Sequence, residues 1–69
     1  MEIKSQIKAL VWKIEKKVGD AVNKDDVIVI LESMKMEIPI VSPYDGTITS
    51  ININEGDEVD EQQCVATIE

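Results

Sequence analysis

The chain has 69 residues and a net charge of −7, with seven lysines, one cysteine, no arginine and no histidine. This length allows one domain at most, the longest apolar run (27–31) is too short to span a membrane, and the acidic balance disfavours nucleic-acid binding. The lack of histidine and of paired cysteines excludes the usual metal sites and an internal disulfide, and a single cysteine favours a reducing compartment. We therefore expect a cytoplasmic protein that binds no metal, nucleic acid or membrane.

The composition favours strands over helices. Eleven isoleucines and eight valines stand against two leucines and three alanines, and branched side chains are best accommodated on a pleated surface. Every basic residue lies within 1–35, which leaves eight acids and no base in 36–69. This acidity either serves solubility alone or complements basic partner surfaces. We find no nucleophile–base set and no phosphate-binding glycine loop, so the chain is poorly equipped to be an enzyme.

The first half of the chain predicts two strands separated by turns. An apolar stretch over 10–16 is followed by the turn signal VGD at 18–20, in which glycine can adopt positive φ. The polar stretch NKDD (23–26) then leads into an apolar strand at 27–31. The two adjacent aspartates of NKDD are interpreted as part of a solvated turn and not as an acid–base pair.

A tight hairpin is predicted between the strand at 27–32 and a second apolar strand at 37–41, with the reversal at Met34–Lys35. Tight hairpin turns favour asparagine, aspartate and glycine, because both central residues need positive φ. Methionine and lysine are costly choices there, which indicates a purpose other than folding. The alternative is a solvated lysine on a poorly optimised turn, with Met34 and Met36 covering the edge of the core.

The second half repeats the first with an offset of 37 residues. Gly19 aligns with Gly56, and residues 3–32 and 40–69 are interpreted as two copies of one unit. The second copy predicts a turn at 43–46 (PYDG), strands over 47–53 and 64–68, and the turn EGD at 55–57.

Both copies interrupt strict alternation in the same way, because Val11 and Ile14, like Ile48 and Ile51, are three residues apart. A β-bulge in each copy would explain this spacing.

Each unit is interpreted as four strands that cannot bury their apolar face alone, so the two units should pack together. We expect one all-β domain over 1–69, formed by two four-stranded antiparallel sheets in a flattened β-barrel or sandwich with pseudo-two-fold symmetry. The hairpin tip that carries Lys35 should then lie at the end opposite to both chain termini. Cys64 aligns with Val27 and is predicted to be a core residue, and Trp12 is predicted to pack over a sheet edge.

The sequence ESMKME (32–37) resembles the biotin-attachment motif of biotinyl domains, whose core is Met-Lys-Met. The neighbouring stretches VGDAV, IVSPYDGTITSI and EGDEV also match that family, and the resemblance runs from about Trp12 to Glu69. Ser33 departs from the family, in which alanine or valine is commoner, and Asp25 and Gln62 occupy turn sites where glycine is frequent. The resemblance implies the barrel-sandwich hybrid fold of biotinyl and lipoyl domains.

The resemblance also implies a function. Lys35 would be biotinylated by a biotin protein ligase and would shuttle CO2 between the biotin carboxylase and carboxyltransferase sites of a biotin-dependent carboxylase. Met34 and Met36 would serve ligase recognition, whereas Glu32 and Glu37 either steer the ligase or are simply solvated strand ends. The domain itself would be a non-catalytic carrier.

Two other functions remain open from the sequence. A lipoyl carrier of a 2-oxo acid dehydrogenase-type complex also modifies a hairpin lysine, but methionines do not usually flank that lysine, so Met34 and Met36 favour biotin over lipoate. The second is an unmodified β-sandwich adaptor that uses the tip as a protein contact.

Overall fold

The computed structural model describes residues 1–69 and contains eight β-strands and no helix. The strands are β1 (Glu2–Lys4), β2 (Ala9–Ile14), β3 (Ala21–Val22), β4 (Val27–Ser33), β5 (Met36–Val41), β6 (Gly46–Ile51), β7 (Glu58–Val59) and β8 (Cys64–Ile68). They form two four-stranded sheets, in which every paired strand is antiparallel. The first sheet has the order β1-β8-β6-β3, and the second sheet has the order β5-β4-β2-β7.

The predicted all-β class and the two antiparallel sheets are confirmed, but the sheets do not close into a barrel. No strand pairing joins the first sheet to the second, so the edge strands β1 and β5 remain unpaired with each other. Of the two predicted alternatives, a flattened β-barrel and a flattened sandwich, the structure is therefore the sandwich. Its longest dimension is 31 Å, against 18 and 17 Å across.

The pseudo-two-fold symmetry is visible in the strand order. Adding 37 to the residue numbers converts β1, β2, β3 and β4 into β5, β6, β7 and β8, and it converts one sheet order into the other. Each sheet thus takes two strands from each half of the chain. Since the two halves interleave, neither can complete a sheet by itself.

A β-bulge occurs in each long central strand, as the spacing predicts. The register of β2 against β4 shifts at Trp12, between Val11 and Lys13. The register of β6 against β8 shifts at the equivalent residue, Thr49. Strands β2 and β6 end earlier than predicted, at residues 14 and 51. The chain there leaves the sheet for the turns that contain Gly19 and the equivalent Gly56.

The core consists of aliphatic side chains from both sheets and holds two buried serines. The buried hydrophobic residues are Ile3, Ala9, Val11, Val22, Ile28, Val29, Leu31, Ile48, Ile53, Val59, Val65, Ala66 and Ile68. The hydroxyls of Ser5 and Ser42 donate to the backbone carbonyls of Ile7 and Tyr44, so neither buried hydroxyl lacks a partner.

Cys64 is only partly buried, so its prediction as a core residue is wrong in degree. It opens β8, where the register against β1 is irregular, and its Sγ accepts a hydrogen bond from Asn52 Nδ2 at 3.2 Å. Trp12 is 50% exposed, because the bulge turns its side chain outward.

Two equivalent turns hold a non-glycine residue in the left-handed region, Asp25 at φ 74° and Gln62 at φ 71°. Glutamine tolerates this region less well than aspartate. We expect Gln62→Gly to raise the free energy of unfolding by about 0.5–1 kcal/mol, since the relief of strain exceeds the added entropy of the unfolded chain. Urea unfolding measures the change, Glu61→Gly at an ordinary φ should instead lower stability, and a loss for Gln62→Gly would contradict the argument.

Candidate functional site

A tight turn joins β4 to β5 and carries exposed side chains. Ser33 pairs with Met36 in the last step of the hairpin, which leaves Met34 and Lys35 as the two central residues. Their φ values are 52° and 66°, the positive pair of a type I′ turn, whose twist matches that of the flanking strands. A two-residue turn closed by a six-pair ladder presents Lys35 in one defined direction.

The side chains of this turn face solvent. Met34 is 92% exposed and Met36 is 61% exposed, so the alternative in which these methionines cover the core edge is wrong. Lys35 is exposed and makes no ion pair and no hydrogen bond, since the one salt bridge of the structure joins Lys13 and Glu15. The amine is therefore free to be approached, and no carboxylate of this chain holds it.

Two carboxylates flank the base of the turn. Glu32 and Glu37 are directly opposite each other on β4 and β5, and both are exposed. Like charges at opposed positions of a sheet are destabilising, so this pair does not contribute favourably to folding.

The tip lies at the opposite end of the molecule from both chain termini. The N-terminal amine of Met1 donates to the Ile68 carbonyl at 2.7 Å, and the Tyr44 hydroxyl donates to the same carbonyl at 3.0 Å. Tyr44 follows the end of β5 at Val41, and β5 spans six residues, which is about 20 Å of strand. Lys35 directly precedes the other end of β5, so the length of this strand separates it from the chain termini.

Pairing across the sheet adds a third carboxylate that the sequence pattern did not single out. Leu10 on β2 pairs with Glu32 on one side and with Glu58 of β7 on the other. Cross-strand partners point to the same face, so Glu37, Glu32, Leu10 and Glu58 form one line of side chains, whose three glutamates are here called the acidic row. The internal repeat could have drawn attention to Glu58, because its mate in the first half is Ala21.

Elsewhere the structure offers little reactive chemistry. An open groove of about 370 Å³ runs between the unpaired edges of β1 and β5, and aliphatic residues such as Ile3, Leu31 and Ile40 line much of it. No three acids or thiols are grouped as metal ligands would be. No helix long and apolar enough to cross a membrane is present.

Comparison with known proteins gives one family over nearly the whole chain. The family model described as "Biotin-requiring enzyme", of biotin/lipoyl domains, matches residues 1–68. The "Biotin/lipoyl attachment protein" of Bacillus subtilis is 43% identical over 61 residues, which cover 88% of this chain and 84% of that protein. The "Biotinylated protein TB7.3 homolog" of Mycobacterium leprae is 34% identical over 67 residues, which cover 97% and 94% of the two chains.

A solved structure shares the fold closely. The urea carboxylase of Kluyveromyces lactis superposes with a TM-score of 0.94 at 30% identity. All of the present chain is covered, but only 6% of that much longer protein is.

Proposed function

The chain belongs to the family of biotin- and lipoyl-attachment domains, and from this membership we propose that Lys35 carries covalently attached biotin and that the chain is a biotin carboxyl carrier. Domains of this family carry a bound group and do not themselves catalyse its reactions. The observation that carries the proposal is the solvated Lys35 amine on a type I′ turn between two exposed methionines.

The flanking methionines support the assignment because folding does not account for them. Exposed apolar side chains gain nothing for folding at the tip of a hairpin, and a soluble domain would accommodate polar residues there equally well. Methionine offers a flexible apolar surface that adapts to a binding partner. Met34 and Met36 therefore serve a partner that must recognise Lys35 itself, and biotin protein ligase is that partner.

The attachment step needs help from the ligase. No side chain of this domain contacts the Lys35 amine and could accept a proton from it. The ligase would remove that proton and present biotinyl-AMP, after which Nζ attacks the acyl carbon, the new amide forms, and the bond to phosphate breaks with departure of AMP.

The rest of the function depends on how the domain holds the attached group out to its partner enzymes. Bound to Lys35, biotin would supply a ring able to accept a carboxyl group at a biotin carboxylase site and to release it at a carboxyltransferase site. The contribution of this chain is a rigid stalk with a tethered end, which makes each encounter effectively intramolecular within the complex. Because the termini lie opposite to Lys35, contacts made near the chain ends leave the tip free to move between sites.

Lipoate is the second candidate, since the Bacillus subtilis relative is named for both groups. A lipoyl carrier would use the same hairpin and the same amide linkage. Met34 and Met36 favour biotin, because lipoyl attachment sites do not usually have methionines on both sides of the lysine.

Intact-mass measurement of the chain purified from its own host tests the proposal. The expected result is a mass increase of one biotin less one water, and peptide mapping should place it on Lys35. A lipoyl increment would establish the second candidate. An unmodified chain from cells that have sufficient biotin would exclude both carriers and favour a protein-binding adaptor.

A further inference from the structure

The outer faces of the two sheets differ in character although the sheets are related by pseudo-symmetry. The outer face of the second sheet, which carries the Lys35 hairpin, bears a set of apolar side chains, here called the apolar patch: the exposed Leu10, Trp12, Pro39 and Val41 and the half-buried Ile30. The equivalent positions of the first sheet, 37 residues away, are all polar: Thr47, Thr49, Thr67, Glu2 and Lys4.

The patch residues share one face because of register. Leu10 is exposed between the buried Ala9 and Val11, so it points away from the core. Ile30 pairs with Pro39 on one side and with Lys13 on the other, and Trp12 is the bulged residue next to Lys13. Leu10 and Trp12 are 48% and 50% exposed, so much of their apolar surface is in contact with water.

The first sheet acts as an internal control for folding. It has the same strand order, the same bulge position and the same buried face, and it folds with threonines on its outside. Apolar side chains on the outside of the second sheet are therefore not required by the architecture. A contiguous exposed apolar surface of this kind marks a site of association.

Charge indicates what kind of surface binds there. The acidic row of Glu32, Glu37 and Glu58 borders the patch on the side of the hairpin tip. Lys13, which is opposite Ile30 on the same face, forms an ion pair with Glu15 at 3.4 Å. The patch is thus apolar with an acidic margin, which is complementary to an apolar surface that has a basic margin.

We propose that the apolar patch and the acidic row together form the docking surface for the enzyme that acylates Lys35. This inference rests on the proposed function and extends the recognition surface from the hairpin to β2 and β7. The reason is distance: an enzyme that acts on Nζ must bring its reacting atoms to the tip and so rests against the strands that bear it. Enzymes that act on the far end of an attached arm need no such contact.

A second copy of this chain is a less favourable occupant. Two identical patches in contact would bring two acidic rows and two chains of charge −7 together. A basic-rimmed enzyme is attracted by the same charges, and the attraction should weaken as salt increases.

The test measures the rate at which the biotin protein ligase of the same host acylates each variant. Biotin and ATP are supplied, and the carrier concentration is varied up to saturation. The double variant Leu10→Thr/Trp12→Thr copies the residues of the first sheet. It should raise the KM for the carrier roughly tenfold or more, since exposed aromatic anchors dominate such interfaces, and leave kcat unchanged. Val18→Thr is the matched control, because Val18 is 60% exposed but lies in a turn outside the patch.

A second variant tests the charges. Replacement of all three glutamates of the acidic row by glutamine should raise KM and remove its dependence on salt, while circular dichroism and the urea midpoint show that the fold is retained. Unchanged KM in both variants, with the wild type fully acylated, overturns the docking surface and leaves the proposed function intact. No acylation of the wild type overturns both. A wild-type dimer that the patch variant converts to monomer at unchanged KM assigns the patch to self-association and overturns the proposal.

Discussion

The variant Lys35→Arg is expected to lose covalent modification completely while it keeps the stability of the wild type. Arginine preserves the positive charge and the long side chain, so the turn at φ 66° loses nothing that folding uses. Its guanidinium stays protonated and is a poor nucleophile, so it cannot form the amide. Streptavidin blotting and intact mass of the variant from biotin-replete cells measure the loss, and urea unfolding measures the stability.

The matched control is Lys24→Arg. Lys24 is also exposed and also lies in a turn, beside Asp25 with its positive φ, but no methionine flanks it. Its replacement should leave modification at the wild-type level. If Lys35→Arg still gained the mass of one biotinyl group, another lysine would be the acceptor and the functional role of the hairpin would be lost.

Much of this site could be predicted from the sequence because the signals are local. The strands on either side of the tip are continuous apolar runs, and a chain that leaves one and enters the other within five residues has room only for a tight reversal. Met34 and Lys35 therefore had to occupy the turn. The repeat then placed the chain termini at the opposite end, since they take the position equivalent to the tip.

What the sequence left open depends on pairing between distant segments. A repeat shows which residues are equivalent, but it does not show which strands pair, so the interleaving of the two halves could not be derived. The strands Ala21–Val22 and Glu58–Val59 have two residues each, too few for a periodic signal. The acidic row depends on one of them, which explains why Glu58 was missed while its neighbours on the hairpin were found.

Gly46 is a position at which the two copies of the repeat carry different residues for a steric reason. It opens β6, and a Cβ added there would lie 2.6 Å from Cγ2 of Ile68 and 2.8 Å from the carbonyl oxygen of Glu69. Its mate in the first half is Ala9, which is buried and carries a Cβ without difficulty. The residue equivalent to Ile68 is Leu31, whose side chain does not branch at Cβ and so has no methyl group that corresponds to Cγ2 of Ile68.

We therefore expect Gly46→Ala to lower the free energy of unfolding by about 1–3 kcal/mol, the usual cost of overpacking. This is a large fraction of the total for a chain of this size, which is about 3–10 kcal/mol. Denaturant unfolding measures it. A second variant, Gly46→Ala/Ile68→Leu, removes the clashing methyl and imitates the Ala9–Leu31 pair, so it should recover part of the loss. Recovery should stay incomplete, because the Glu69 oxygen is held beside Gly46 by a hydrogen bond from the Thr47 N–H, at 2.8 Å.

The same variant separates stability from presentation. Gly46 and Ile68 lie at the end of the molecule that holds the chain termini, far from the Lys35 turn. Below its lowered midpoint, Gly46→Ala should be acylated with the KM and kcat of the wild type, since the hairpin and the face beneath it are unchanged. An acylation defect in fully folded Gly46→Ala would mean that strain at one end reaches the tip, and the view of the scaffold as a rigid support for one amine would be wrong.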